Sequence, residues 1–374
     1  MKKIIIFNSG SSLYGSERGL ISLVKALEGK YEIEIVLPCQ GPLVDYFVKR
    51  GQRVTLFPLS ILSFSYAPLY YLYNISLFLI NFIYFFIYIS LNKFDVIYTN
   101  NALMFFPACI AFFLRKKHIW HIREFFPNDF INKFIARFAQ ITKSTIICQS
   151  DNIRTNIFGL NSKDNISVIY EGLDINDYVL QENKQRAFNL PEDVVRVTLI
   201  SRVHPSKGHY EILQLMDEVF KIVKTKAVLL LVGDITNRNL RNCRYKRKLE
   251  KFITQHGLTG RVLFCGFKEN IVSVLDSTDI CVFPYQRNEP FGLALLEALV
   301  LSKAVLLQLN PGSKEIFRYF NKECKELTLI NLKNEIEKGR RGVQTPLIPE
   351  IFSFQHYKSA IVGLLDHVSG GSNG

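Results

Sequence analysis

Short apolar runs alternate with amphipathic stretches along most of this chain, and the alternation predicts an α/β fold. Residues 3–8, 33–37, 54–57, 96–99, 118–122 and 145–148 are mostly apolar and have the length of buried strands. Between them, segments such as 16–27 and 128–141 carry apolar residues at helical spacing. Strands and helices that alternate in this way form parallel, doubly wound sheets.

The alternation stops over the polar segment 171–191 and then starts again. Five further apolar runs follow, with the sequences VRVTLIS, AVLLLVG, RVLFCGF, DICVFPY and AVLLQL. We therefore expect two Rossmann-like domains, 1–170 and 192–350, with 171–191 as the linker and a C-terminal helix, 351–367, returning to the first domain. A length of 374 residues fits two domains. In this arrangement the carboxyl ends of both sheets open into one cleft.

One long stretch of the first domain has no charged residue. Asp, Glu, Lys, Arg and His are all absent from Val54 to Asn92, and a helix over 69–91 would be about 34 Å long, enough to cross a bilayer. The predicted strands 54–57 and 96–99 flank this helix, and a membrane span would separate two strands of one sheet. We therefore expect segment 61–91 to form a helix or helical hairpin that enters one leaflet, with a wholly buried helix as the alternative.

Composition narrows the possible partners. Lys and Arg number 46 against 33 Asp and Glu, and the net charge of +13 favours nucleic acid, an acidic lipid surface or a phosphorylated substrate. The basic run 238–248 has few aromatic residues between its charges, so nucleic acid is not an expected partner. The seven cysteines are widely spaced without C-x-x-C, and MKKIIIFNSG does not resemble a signal peptide. Both features favour a cytosolic setting, and together with the uncharged helix and the positive charge they lead us to expect the cytoplasmic face of the inner or plasma membrane.

Several catalytic motifs are missing. The segment GSSLYG has the glycine spacing of a P-loop but continues with Ser16 where the phosphate-binding lysine belongs, which disfavours nucleotide hydrolysis. The first strand is not followed by G-x-G-x-x-G, and neither D-x-D, H-E-x-x-H nor G-x-S-x-G occurs. We therefore expect neither a metal site nor a bound cofactor.

Charged residues follow two strands of the second domain. In QRNEPFGLALLEAL, Glu289 and Glu297 flank the expected start of a helix, whose first amides would suit oxygens of a phosphate or a sugar. In RVHPSKGH, Arg202 and Lys207 follow the domain's first strand, where two cations would neutralise a diphosphate. Taken singly, each of these four side chains could equally be an ordinary surface charge.

Four elements together resemble the retaining glycosyltransferases of family four, which have the GT-B fold. They are S-R-x4-K-G at 201–208, V-G-D at 232–234, F-x-G-F at 264–267 and E-x7-E at 289–297, in the order of that family. Two loops depart from the family pattern. The linker has E-G-L-D where Asn usually precedes Gly, and N-P-G-S-K-E replaces the usual paired glycines before Glu.

The resemblance implies a role for each matching residue on the donor side. Arg202 and Lys207 would bind the diphosphate and stabilise the departing nucleotide, Glu289 would orient the sugar and Glu297 would hold the ribose. The donor-binding set that it implies is Gly15, Arg202, Lys207, Phe267, Lys268, Glu289, Phe291, Gly292, Leu293 and Glu297. Within this set, the backbone at 267–268 would contact the base, and the amides of 291–293 would lie beside the sugar.

The first domain contributes further implied residues. Gly15 in SLYGSER matches the family's glycine-rich loop, and Tyr14 stands where a second glycine is common. His121 in IWHIREFF matches a histidine that faces the transferred sugar, although it could instead be a core histidine. His118 and His121 are three apart on a strand and should point to opposite faces. Tyr14 and Glu124 are placed on the acceptor side.

The resemblance therefore implies a metal-independent, retaining transferase of a hexosyl or deoxyhexosyl group. Its catalytic residues would be His121, Arg202, Lys207 and Glu289, with a nucleotide-diphosphate sugar as donor and no cofactor. A helix resting on an anionic membrane suggests a lipid-linked saccharide as acceptor, in polysaccharide biosynthesis. Two alternatives stay open: a sugar-nucleotide epimerase of the same architecture, and a non-catalytic membrane-associated scaffold.

Overall fold

The computed structural model describes residues 1–62, 68–160, 165–174, 187–235, 240–286, 288–320, 325–339 and 347–370. The chain divides into two compact units. Unit 1 comprises Met1–Gly172 and Glu350–Gly374, and unit 2 comprises Leu173–Pro349. Of the predicted linker 171–191, residues 175–186 lie outside the described residues.

Each unit is built on one parallel sheet. The strands are β1 Lys2–Phe7, β2 Tyr31–Leu37, β3 Arg53–Leu56, β4 Val96–Thr99, β5 Lys117–Ile122, β6 Thr145–Cys148, β7 Ile166–Val168, β8 Val195–Ile200, β9 Ala227–Val232, β10 Val262–Gly266, β11 Ile280–Phe283, β12 Val305–Leu307 and β13 Lys325–Glu326. The predicted strands are all present. The two short strands β7 and β13 were not predicted, because β7 is only three residues long and β13 consists of Lys325 and Glu326 alone.

The helices alternate with these strands. They are α1 Gly15–Leu27, α2 Pro42–Val48, α3 Pro68–Asn92, α4 Phe106–Phe113, α5 Asp129–Ile141, α6 Asp151–Phe158, α7 His209–Ile222, α8 Leu240–Gln255, α9 Ile271–Asp276, α10 Leu293–Leu301, α11 Pro311–Phe317, α12 Leu329–Glu337 and α13 Phe354–Gly370. Several begin at side-chain caps. For example, the Asn128 side chain accepts a hydrogen bond from the amide of Phe130 and starts α5 one residue later than predicted.

The sheet of unit 1 has the strand order β3-β2-β1-β4-β5-β6-β7. Its order reverses between β1 and β4, which is where ligands bind in sheets of this kind. One face packs against α1 and α13, and Tyr357 and Ile361 of α13 are fully buried in the same core as Leu20 and Leu23 of α1. The C-terminal helix, expected over 351–367, runs from Phe354 to Gly370.

Helix α3 covers the opposite face of the sheet of unit 1. It is one continuous helix over the uncharged stretch. A single stripe of this helix, which includes Phe85 and Ile89, is buried beside Phe7 of the sheet. Asn81 lies in this stripe, where it accepts a hydrogen bond from the amide of Ser60 at 2.8 Å and donates one to the carbonyl of Pro58 at 2.9 Å. Part of the predicted membrane segment, 63–67, lies outside the described residues.

Most of α3 nevertheless remains on the surface. Among the residues that the structure describes, Leu72–Asn92 is the one helix long and apolar enough to cross a membrane, yet only 17% of its most apolar window is buried. The large apolar side chains left exposed on α3 are Leu72, Tyr73, Ile75, Leu79, Ile80, Ile83, Tyr84, Ile87 and Leu91. We call this surface the α3 apolar face. The alternative of a wholly buried helix is therefore wrong for α3.

The sheet of unit 2 has the order β10-β9-β8-β11-β12-β13. Every residue of β8, β9 and β11 is buried, as expected for parallel strands covered on both faces. The order reverses between β8 and β11. The loops that leave the carboxyl ends of these two strands carry the Arg202–Lys207 and Glu289–Glu297 segments.

Candidate functional site

The candidate site of unit 2 begins where the loops after β8 and β11 meet. The amide of Gln286 donates a hydrogen bond to the carbonyl of Ser206 at 3.3 Å. Gly208 has a left-handed backbone with φ of 74°, and a Cβ at this position would collide with the carbonyl oxygen of Pro284. Only glycine therefore lets the two loops come this close.

Lys207 and Glu289 face each other across this junction. The Nζ atom of Lys207 lies 2.8 Å from Oε1 and 2.6 Å from Oε2 of Glu289, and their side chains are only 16% and 19% exposed. The ammonium also lies 5.3 Å from the ring centroid of Tyr285. Burial, together with the charge of Glu289, holds the pKa of Tyr285 well above its usual value, so this hydroxyl stays neutral.

Helix α10 starts directly beside this ion pair. Gly292 is left-handed with φ of 85°, and its carbonyl accepts the amides of Leu295 and Leu296 at 2.9 and 3.1 Å. The helix begins at Leu293, so the Phe291 amide belongs to the preceding turn and the expectation that it is a helix N-terminal donor is corrected. A Cβ on Gly292 would lie 3.3 Å from Cγ of Glu289, so the glycine leaves room for that carboxylate.

The other donor-side residues lie on the same sheet edge without joining the ion pair. Arg202 follows β8, is exposed and makes no hydrogen bond or ion pair within the described ranges. Phe267 and Lys268 are both exposed and follow β10. Glu297 is in the second turn of α10 and only 1% exposed. The structure thus brings together Lys207, Glu289 and Gly292.

In unit 1, polar side chains follow five strands at the carboxyl edge of the sheet and hydrogen-bond to one another. Asn100, after β4, donates to Asn8, after β1, at 2.7 Å. Arg123, after β5, donates from Nε to Asn100 at 2.7 Å and from Nη1 to Glu171, after β7, at 2.5 Å. Gln149, after β6, donates to the same Glu171 oxygen at 3.3 Å. We call these five residues the strand-end network.

The strand-end network was missed by the sequence analysis. Arg123 and Glu171 are 48 positions apart, and both are buried, with side-chain exposures of 6% and 2%. A helix glycine, Gly19, packs directly against this pair, and any larger side chain there would collide with it. One signal in the sequence could have found the network, because each member comes directly after an apolar strand or within three residues of its end.

The two histidines of β5 point to opposite faces, as predicted. His118 hydrogen-bonds through Nε2 to Thr99 at 2.9 Å and through Nδ1 to Ser144 at 2.7 Å. Nδ1 of His121 instead lies 2.7 Å from the hydroxyl of Tyr98. Burial, reinforced by the charge of Arg123, holds the pKa of His121 well below its usual value. His121 is therefore a neutral imidazole.

The remaining candidates of unit 1 lie on two loops of the same sheet edge. Gly15 is the first residue of α1, is exposed and has open space around it. Tyr14, before it, is half-buried, as is Glu124 two residues after β5. Among the residues described in both units, no three His, Cys, Asp or Glu side chains come close enough to hold a metal ion.

Comparisons with known proteins agree with this architecture. The family model described as Glycosyltransferase Family 4 matches residues 14–177, and the model of glycosyl transferases group 1 matches residues 181–325. An uncharacterised glycosyltransferase of Methanocaldococcus jannaschii is 26% identical over 165 residues, which cover 42% of this chain and only 40% of that relative.

Solved structures match over nearly the whole chain. HepE of Anabaena, in complex with UDP-glucose, superposes with a TM-score of 0.74 at 20% identity and covers 98% of this chain and 100% of its own. Sucrose-phosphate synthase from Thermosynechococcus elongatus gives a TM-score of 0.72 at 16% identity and covers 100% of both chains. These likenesses confirm the predicted GT-B fold class, with its two parallel sheets.

Proposed function

Because this chain belongs to the group 1 glycosyltransferases of family four, we propose that it transfers a sugar from a nucleotide-diphosphate sugar to an acceptor hydroxyl. The observation that carries this proposal is the Lys207–Glu289 pair. It joins two loops 82 residues apart at the point where the strand order reverses, beside the N-terminus of α10. A cation, a carboxylate and helix amides at this place suit the diphosphate and the hydroxyls of one donor.

In this proposal each group of unit 2 has a separate task. The ammonium of Lys207 stabilises the negative charge that grows on the leaving diphosphate, and Glu289 accepts hydrogen bonds from sugar hydroxyls while holding the ammonium in place. Arg202, exposed at the end of β8, adds a second cation. Gly292 and Leu293 present backbone amides to the donor, and Glu297 of α10 binds ribose.

Unit 1 supplies the acceptor side and, in this proposal, two further contacts to the donor. His121 contacts the transferred sugar, and Gly15 at the start of α1 allows the diphosphate to approach the backbone. Tyr14 and Glu124 contact the acceptor. Phe267 and Lys268, although they belong to unit 2, complete the donor site at the base.

We propose that the reaction retains the anomeric configuration by front-face displacement. The bond between C1 and the β-phosphate oxygen breaks while the acceptor oxygen bonds to C1 on the same face. The proton of the acceptor hydroxyl passes to the departing phosphate oxygen, so that the nucleoside diphosphate leaves without a base from the protein. Neither metal nor cofactor takes part in this scheme. NMR of the product anomer tests it, and an inverted product would contradict it.

The function is tested with UDP-glucose as the first donor, because the similar HepE holds that molecule. Lys207→Met should lower kcat by about 10²–10³-fold, the loss expected for one electrostatic donor. Lys226→Met is the matched control, since Lys226 forms a 2.8 Å pair with Asp193 that is exposed on the surface of the same unit. Turnover of Lys207→Met close to that of the control would contradict the assignment.

The same preparation separates the two alternatives. An epimerase would convert a nucleotide sugar to an isomer without any acceptor, which chromatography of the nucleotide sugar detects. A non-catalytic scaffold would bind neither UDP nor UDP-glucose in calorimetry. Transfer that requires an acceptor, with release of UDP, excludes both alternatives.

We further propose that the protein works on an anionic membrane surface. The α3 apolar face continues onto α4, where Phe112 and Phe113 are 46% and 64% exposed. Lys93 follows α3, and the exposed cations Arg115 and Lys117 follow α4. An apolar face bordered by cations matches the acyl chains and acidic headgroups of one leaflet.

This placement bears on the acceptor. An enzyme held at the cytoplasmic face of the inner or plasma membrane has ready access to a lipid-linked saccharide, as polysaccharide biosynthesis requires. Transfer to a lipid-linked acceptor in vesicles, compared with the same saccharide without its lipid, tests this part of the proposal. Equal rates on the two acceptors would contradict it.

A further inference from the structure

We infer that Tyr98 is a positioning residue that fixes His121 as the tautomer with its proton on Nε2, so that His121 serves as a hydrogen-bond donor to the bound sugar. The second half of this inference rests on the proposed function. The first half concerns the protein alone and can be tested without any substrate.

Sheet geometry places the two side chains together. Tyr98 on β4 is in register with Ile119 on β5, and His121 is two residues further along the same strand face. Tyr98 is 0% exposed and its hydroxyl oxygen lies 2.7 Å from Nδ1 of His121. The side chain of His121 is also 0% exposed. The orientation of the imidazole is therefore set by a neighbouring strand within one rigid sheet.

Counting donors and acceptors identifies the tautomer. If the Tyr98 hydroxyl donates to Nδ1, only the Nε2 proton of His121 is left without a partner among the described residues. If Nδ1 carries the proton instead, both the hydroxyl proton of Tyr98 and the lone pair on Nε2 of His121 are left without a hydrogen-bonding partner among the described residues. Buried polar groups without partners cost free energy, so the first arrangement is the more stable.

Charge and burial favour the same arrangement. Burial holds the pKa of His121 well below its usual value, and the guanidinium of Arg123, two residues further along the chain, also opposes a second positive charge on His121. Burial also raises the pKa of Tyr98 far above its usual value, so its hydroxyl keeps the proton that it donates. Both groups are neutral, and the bond runs from tyrosine to histidine.

The consequence for the site is a buried N–H without a partner. Such a donor gains most from an oxygen acceptor that a ligand brings, and a hydroxyl of the transferred sugar is an acceptor of this kind. A neutral imidazole with its proton on Nε2 has no free lone pair there, so it cannot act as a base toward the acceptor. His121 then contributes by orienting the sugar.

The experiment is two-bond ¹H–¹⁵N NMR on the full-length protein labelled with ¹⁵N-histidine. Loss of one set of signals in His121→Asn assigns His121. We expect the wild-type spectrum to show a neutral ring with the proton on Nε2. Tyr98→Phe removes only the hydroxyl and should shift His121 toward a mixture of tautomers. Tyr31→Phe is the matched control, because Tyr31 is a buried tyrosine of the same core that bonds to Asp366 instead.

Steady-state kinetics with the nucleotide-sugar donor test the second half of the inference, which is the hydrogen bond from His121 to the bound sugar. Tyr98→Phe should lower kcat by about tenfold, the loss of one oriented hydrogen bond, with the donor KM unchanged. Tyr31→Phe should leave kcat unchanged. If the role of Tyr98 were merely structural, Tyr98→Phe and Tyr31→Phe would lower the melting temperature by similar amounts, and the His121 signals would stay in place.

Two results would overturn the inference: a wild-type His121 with its proton on Nδ1, or His121 signals that Tyr98→Phe leaves unchanged. An unchanged kcat in Tyr98→Phe would overturn the role in catalysis. If the wild-type protein transfers no sugar from any donor while the tautomer is as expected, the proposed function fails and the positioning by Tyr98 stands.

Discussion

Replacing three isoleucines of the α3 apolar face should release the protein from membranes without unfolding it. Ile80, Ile83 and Ile87 are spaced i, i+3 and i+7 and are 54%, 58% and 54% exposed. Full burial of an isoleucine side chain contributes about 1.5–3 kcal/mol, so the exposed half of each is worth about 1 kcal/mol on entering lipid. The triple glutamine variant should lose about 3 kcal/mol, or about 10²-fold in the partition coefficient.

The assay is flotation of the protein with vesicles of phosphatidylcholine, with and without a quarter of anionic lipid. Wild-type protein should float with the anionic vesicles and lose part of this binding at high salt, because the cations beside the face are screened. Glutamine keeps a high helix propensity, so the melting temperature of the triple variant should match that of the wild type.

A second triple variant provides the control. Ile222, Ile330 and Leu347 of unit 2 are 48%, 69% and 69% exposed, so their replacement by glutamine removes a similar apolar area. It should leave vesicle binding unchanged. If the α3 triple variant floats as well as the wild type, membrane binding by this face is refuted. If it changes only the oligomeric state in solution, the face joins two copies of the chain.

Two further predictions concern stability. Burial lowers the pKa of His118 to about 3, so below pH 6.5 the unfolded chain binds a proton that the folded chain does not, and stability falls on acidification. In urea titrations, His118→Gln should flatten this slope by about 1.4 kcal/mol per pH unit between pH 6.5 and 4. The variant His367→Gln, on the surface, is the control and should leave the slope unchanged. Gly208→Ala should cost more than about 2 kcal/mol of unfolding free energy, because the added Cβ meets the carbonyl of Pro284. Gly257 is also left-handed but has open space around it, so Gly257→Ala should cost only about 1 kcal/mol. Equal losses of the two variants in thermal denaturation would contradict the contact with Pro284.

Apolar periodicity was sufficient to predict the order and type of most elements. The reason is that a parallel strand covered on both faces is mostly apolar, as all six residues of β9 are. The short strand β13, with the sequence Lys325–Glu326, carries no such signal, because it pairs only at the margin of the sheet. It is placed by its neighbour β12 and not by its own composition.

Contacts between distant loops could not be predicted from the pattern. Lys207 and Glu289 each follow a predicted strand, so their shared edge was foreseeable, but their direct pairing depends on β8 and β11 being neighbours. The Arg123–Glu171 pair depends likewise on the order of β5, β6 and β7. Strand order is a property of the whole sheet, and a local apolar run contains no information about it.

Asn81 shows a different limit. In the sequence this residue only interrupts an apolar run, whereas in the structure it is the hydrogen-bonding partner of the loop before α3. Composition predicted a helix of the right length, but it could not decide which stripe faces the sheet. That choice follows from a buried amide whose partners are backbone atoms 21 and 23 positions away.

The return of α13 to unit 1 has a consequence for synthesis on the ribosome. Tyr357 packs against Gly172, and at 5–20 residues per second the ribosome needs roughly 10–40 s to translate from one to the other. All of unit 2 emerges in this interval, so the second unit has its complete sequence before the first does. Until α13 arrives, the nascent first unit lacks Tyr357 and Ile361, and the core around Leu20 stays uncovered. The N-terminal half of the chain is therefore the last to mature, and a stalled ribosome would leave it exposed to chaperones and proteases.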